Sequence, residues 1–79
     1  MSVANLVEAA VKLLVSEPDE VTVSESEDRG AHIYSVTVAQ GDVGRVIGKD
    51  GRVISCVRQI VSAVGSQSRI KTVVKVNTD

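Results

Sequence analysis

The 79-residue sequence predicts an α+β fold in the order α-β-β-α-α-β, a three-stranded mixed sheet with its helices packed on one face. Three observations carry this. Apolar residues recur at helical spacing in two stretches, and runs rich in β-branched residues alternate between them. Two helices separate the last two strands, a link that suits a right-handed parallel crossover.

The first helix is read over Val3–Val15, with Val3, Leu6, Val7, Ala10, Leu13 and Leu14 on one face and Ser2 as its N-cap. Ser16–Glu17–Pro18–Asp19 ends it. Glu20–Ser26 alternates as a strand, Glu27–Gly30 supplies a turn, and Ala31–Ala39 is a second strand, so the pair forms an antiparallel hairpin. Gln40–Gly41–Asp42 breaks the chain, and Asp42 is placed to cap a short helix over Val43–Ile47. After Gly48–Gly51 comes the clearest helix, with Val53, Ile54, Val57, Ile60, Val61 and Val64 on one face. Gly65–Ser68 reads as a polar loop and Ile70–Val76 as the last strand. The covered sheet face is expected to present Val21, Val23, Tyr34, Val36, Val38, Val74 and Val76; Ile33 and Val73 break that alternation.

Length sets residues 1–79 as one domain, and a 43% hydrophobic composition is enough for a compact core. Cys56 stands alone, so no internal disulfide forms, and one Cys with one His gives no zinc spacing. No uncharged run approaches the ~20 residues that span a bilayer, which sets a cytoplasmic location as the default. The net charge of −1 hides two unlike halves: residues 1–42 sum to −6, residues 43–79 to +5. Local charge decides where a polyanion docks.

The basic half contains the stretch Val43–Val64, reading VGRVIGKDGRVISCVRQIVSAV. Two glycines bracket two polar residues between a short helix and a long one. Gly48 and Gly51 allow close approach of a phosphodiester backbone, the following helix start favours phosphate, and Lys49 and Arg52 are cationic neighbours. Asp50 is read as an N-cap rather than a ligand contact. Val43, Val46, Ile47, Val53 and Ile54 are expected to line an apolar groove. Tyr34 is read as core, Cys56 and His32 as passive, and Arg58 as a surface charge.

The run Val46–Ile47–Gly48–Lys49–Asp50–Gly51, followed by an amphipathic helix, resembles the KH domain, whose GXXG loop clamps about four nucleotides. The element order is similar to the type II arrangement, and a free-standing domain with DVGRVIGKDGR resembles the small bacterial KhpA-type RNA-binding proteins. The resemblance implies that Gly48, Lys49, Asp50 and Gly51 meet the sugar-phosphate backbone of single-stranded RNA. Arg45, Val46, Ile47, Arg52 and Ile54 would border the base groove, with Arg69 and Lys71 adding contacts from the far edge. It further implies a homodimer, or a heterodimer with a second KH-containing protein. No cofactor or metal is implied.

Two other classes compete. A phosphate-loop enzyme needs four residues between its glycines and Ser or Thr after the lysine. Here Gly44 and Gly48 enclose three residues and Asp50 follows Lys49, and no nucleophile–base pair or carboxylate pair appears. No catalytic activity is therefore expected. The stronger rival is an adaptor module that acts through pairing, for which an apolar surface near Val43–Ile47 is the expected contact.

Overall fold

The computed structural model describes residues 2–77. Helix α1 (Val3–Lys12) starts where Ser2 Oγ accepts the Asn5 amide at 3.1 Å, the cap expected of it. It closes at Lys12, three residues short of the periodic run, and Leu13 beyond it is 88% exposed rather than on the buried face. Val7 and Val11 are the buried residues of the helix.

Strands β1 (Thr22–Asp28) and β2 (Ala31–Thr37) pair antiparallel, with Thr22 opposite Thr37 and Asp28 opposite Ala31. The turn is only Arg29–Gly30, both at positive φ (53° and 82°), as a tight two-residue hairpin turn requires. The acidic segment assigned to a turn, Glu27–Asp28, is therefore strand. Its side chains are exposed, and pairing with β2 holds it despite poor strand propensity.

β2 also pairs parallel with β3 (Lys71–Val76), giving the sheet order β1-β2-β3. The crossover between them holds the two remaining helices, α2 (Val43–Ile47) and α3 (Arg52–Gln67). The covered sheet face carries Tyr34, Val36 and Val74, buried, with Val23 and Val76 partly buried beside them. Ile33 and Val73 sit on the opposite face as direct cross-strand partners, which accounts for their break in the alternation. Val7, Val11, Val46, Ile54, Val57 and Val61 close the core from the helices. Burying each such valine stabilises the fold by roughly 1.5–3 kcal/mol.

Helix α3 does not stop at Gly65. Gly65 is buried within it, because a Cβ there would lie 2.7 Å from Thr72 Cγ2 and 3.0 Å from the Ile70 carbonyl oxygen. Glycine here serves close packing against β3. The helix ends when Arg69 N–H donates to the Ser66 carbonyl (3.1 Å) and Ile70 N–H to the Gly65 carbonyl (2.8 Å), with Arg69 at φ 58°. This is the paired closure of a Schellman motif, with arginine at the left-handed position usually given to glycine.

Asp42 does not cap α2 through its side chain. Its carboxylate, 1% exposed, accepts from Ser16 Oγ (2.8 Å), the Ser16 amide (3.1 Å) and the Glu17 amide (3.1 Å). Those hydrogen bonds, led by the Ser16 hydroxyl, hold its pKa below the usual carboxylate range against the opposing effect of burial; Arg45 assists. The chain after α1 is thereby clasped to the start of α2.

Candidate nucleic-acid interface

The site is built where α2 hands the chain to α3. The Gly48 amide donates to the Gly44 carbonyl at 2.8 Å and ends α2. Gly48 then adopts φ 77°, ψ 176°, a region that is essentially glycine-only. A single 3₁₀ turn over Lys49–Gly51 follows, with Asp50 (φ 57°) and Gly51 (φ 74°) both left-handed. The Gly51 amide donates to the Gly48 carbonyl at 3.2 Å, and the Arg52 amide to the Lys49 carbonyl.

Three amides of the turn are thus used internally. Those of Lys49 and Asp50 have no protein partner among the described residues. The N-cap of α3 is Gly51, without a side-chain cap bond, so Asp50 does not cap the helix; it stands one residue too early, turned into the left-handed region. The two glycines differ. A Cβ on Gly48 would fall 2.4 Å from Val53 Cγ2, whereas one on Gly51 would meet nothing within 4 Å.

Lys49 and Arg52 are exposed, and neither forms an ion pair among the described residues. Arg45 is exposed but drawn back toward Asp42, 3.4 Å from Nε to Oδ1. Ile47 is half-buried beside the turn. Val46 and Ile54, expected at the groove, are core at 0% and 5% exposure. They fix α2 and α3 against the sheet and offer almost no surface to a ligand. Arg69 and Lys71 lie past the other end of α3, whose 16 residues span about 24 Å. The fold does not gather them with the turn.

An open groove of about 500 Å³ runs between α3 and β3, lined by Arg58, Ser62, Thr72, Val73, Val74 and Lys75. Arg58 Nε donates to the Val74 carbonyl at 3.1 Å across it, so Arg58 is more than a stray surface charge. Its partner is a backbone group 16 residues on, which no spacing rule in the sequence reveals. The exposed apolar surface also lies elsewhere than expected. Val43 and Ile47 pack against the core, whereas Ile60 on α3 is 56% exposed beside a small hollow lined by Leu6, Ala10 and Val57.

Among the described residues no cluster of metal-binding side chains occurs, and no helix is long and apolar enough to cross a membrane. The family profile described as KhpA/KhpB, KH domain matches residues 4–76. The chain is 43% identical over 61 residues to a protein named RNA-binding protein KhpA from Chlamydia trachomatis, covering 77% of this chain and 78% of that one. It is 38% identical over 68 residues to a protein of the same name from Thermotoga maritima, covering 86% and 91%. A third of that name, from Listeria monocytogenes, is 40% identical over 63 residues, covering 80% and 83%.

Proposed function

This chain belongs to the KhpA/KhpB KH-domain family, and from that premise we propose that it binds single-stranded RNA in the cytoplasm and acts by binding, not by catalysis. The Gly48–Gly51 turn clamps the sugar-phosphate backbone, with bases falling toward the groove beside α3. A role in post-transcriptional regulation or as an RNA chaperone follows from such binding. One observation carries the reading: an exposed turn presents two unpartnered amides, at Lys49 and Asp50, between two cations free of acidic partners. Free amides with cations as near neighbours in the chain suit a phosphate.

The test is fluorescence anisotropy of a labelled mixed-sequence RNA with wild-type protein and Lys49→Asp. The variant reverses the charge without touching either glycine, so it should fold normally and lose binding. Two or three phosphate contacts should give a log–log salt slope of about −1.4 to −2.1. A folded Lys49→Asp protein with unchanged affinity refutes the clamp.

A second reading is favoured by Ile60. An isoleucine 56% exposed beside an apolar hollow between α1 and α3 suits pairing, either with a second copy or with another KH-containing protein. Pairing would join two weak RNA sites and raise their effective concentration. Ile60→Lys should leave stability intact and abolish self-association in sedimentation; a wild-type monomer at all concentrations removes the homodimer.

A further inference from the structure

We infer that Arg58 is a base-reading residue, selecting bases with two adjacent hydrogen-bond acceptors, guanine or cytosine, over adenine and uracil. This rests on the RNA-binding reading and deepens it.

β3 is an edge strand. The Asn77 amide donates to the Val36 carbonyl, and Val36 sits opposite Val76 in the parallel register. In a parallel ladder alternate residues bond to a given neighbour, so Lys71, Val73, Lys75 and Asn77 use their backbone groups toward β2. Thr72, Val74 and Val76 therefore direct theirs to the free edge and the groove. Arg58 confirms this by reaching the Val74 carbonyl.

That bond uses only Nε. The guanidinium has four further N–H donors on its terminal nitrogens, in a rigid planar fork. No acid pairs with Arg58 among the described residues, in contrast to Arg45. Anchoring at Nε fixes the plane of the fork without occupying it, an unused donor pair already ordered before any ligand arrives. Arg58 is seven residues from Gly51, about 10 Å along the helix axis, so a strand clamped at the turn brings a neighbouring base to it.

A fork of two donors needs two adjacent acceptors. Guanine offers O6 and N7, the commonest partner of arginine, and cytosine offers O2 and N3. Adenine and uracil place a donor beside each acceptor on their corresponding edges, leaving one N–H facing another.

The experiment uses labelled uridine 8-mers carrying a single central guanine, cytosine, adenine or uracil, titrated with wild-type protein, Arg58→Lys and Lys49→Asp. Wild type should bind the guanine or the cytosine oligomer about 5- to 100-fold more tightly than the other two, and which one leads separates the two acceptor pairs. Arg58→Lys keeps the charge but loses the fork, and the preference should collapse. Lys49→Asp should weaken all four oligomers alike. Equal wild-type binding to all four overturns the inference while leaving the RNA reading standing, as does a preference that survives in folded Arg58→Lys. No wild-type binding to any oligomer overturns both. Concentration-dependent protection of the Thr72, Val74 and Val76 amides without RNA would show the edge occupied by a protein strand instead, and would also overturn it.

Discussion

Gly48 and Gly51 look interchangeable in the GXXG pattern, but alanine should separate them. At Gly48 alanine meets two penalties. Its backbone, φ 77° and ψ 176°, lies where a side chain costs of order 1–3 kcal/mol. Its Cβ would stand 2.4 Å from Val53 Cγ2, 2.8 Å from Val53 Cβ and 3.0 Å from the Val53 amide nitrogen. Relieving that contact means shifting the first turn of α3, an overpacking cost of about 1–3 kcal/mol. Reduced freedom of the unfolded chain returns about 0.4–1 kcal/mol. The net loss is about 1–5 kcal/mol, centred near 3, a large part of the stability of so small a fold. At Gly51 only the left-handed backbone is penalised, by about 1–2 kcal/mol less the same return, since the space around it is open. Urea unfolding read by circular dichroism should give Gly48→Ala a midpoint far below wild type and Gly51→Ala one slightly below, with similar slopes. A domain of this size shifts its Tm by about 4–8 °C per kcal/mol, so the Gly48 variant should lose about 12–24 °C. Gly51→Ala should nonetheless weaken RNA binding, because its methyl enters the space a backbone would approach. Equal destabilisation by the two variants, or a Gly48 loss below about 1 kcal/mol, would refute the assignment of Gly48 to packing and Gly51 to access.

Other outcomes follow from the same structure. Gly65→Ala should destabilise the protein despite a helix-propensity gain of about 1 kcal/mol, because its methyl meets Thr72 and the Ile70 carbonyl; thermal melting checks the sign. Burial, then the neighbouring Glu25 carboxylate, raise the pKa of Tyr34, the only tyrosine. Its phenolate absorbance should therefore appear above the ordinary range. Stability from its neutral form is present below the unfolded pKa and lost as pH rises through the folded one. Asp42 has the opposite sign. Its folded pKa is lowered, so its contribution is present above the unfolded carboxylate pKa and lost as pH falls through the folded value. Asp42→Asn should be less stable at neutral pH and show a shallower acid limb in a stability-versus-pH series.

Much of the fold was legible because periodicity is a local signal. Valines at spacings of two and of three to four residues report which element they occupy, and the two-helix link implies the parallel strand. What escaped depends on distant partners. Leu13 continues a helical pattern, but nothing packs over it. Glu27 and Asp28 are poor strand residues held by the β2 backbone. Gly65 resembles a break until Thr72 is seen against it. At the site, Gly48–Gly51 was legible because the turn conformation demands glycine. The same apolar character that suggested a groove lining for Val46 and Ile54 took both into the core. Arg58 was illegible because it bonds to a carbonyl, and every residue has one.

The clasp at Asp42 bears on how long the site persists. Helix α2 has five residues, far below the ~12–15 needed for a helix to hold in isolation, so it exists only while both ends are fastened. Gly48 fastens one end through a neighbour in sequence. Asp42 fastens the other across 26 residues, to Ser16. The loop closed by that contact contains the whole β1–β2 hairpin, so the start of α2, and with it the Gly48–Gly51 turn, is tied to the chain that enters β1. Amide exchange at Gly48, whose proton is held by the Gly44 carbonyl, would time the opening of α2. A fragment beginning at β1 would keep every residue of the GXXG turn and lack the anchor that keeps α2 wound beside it.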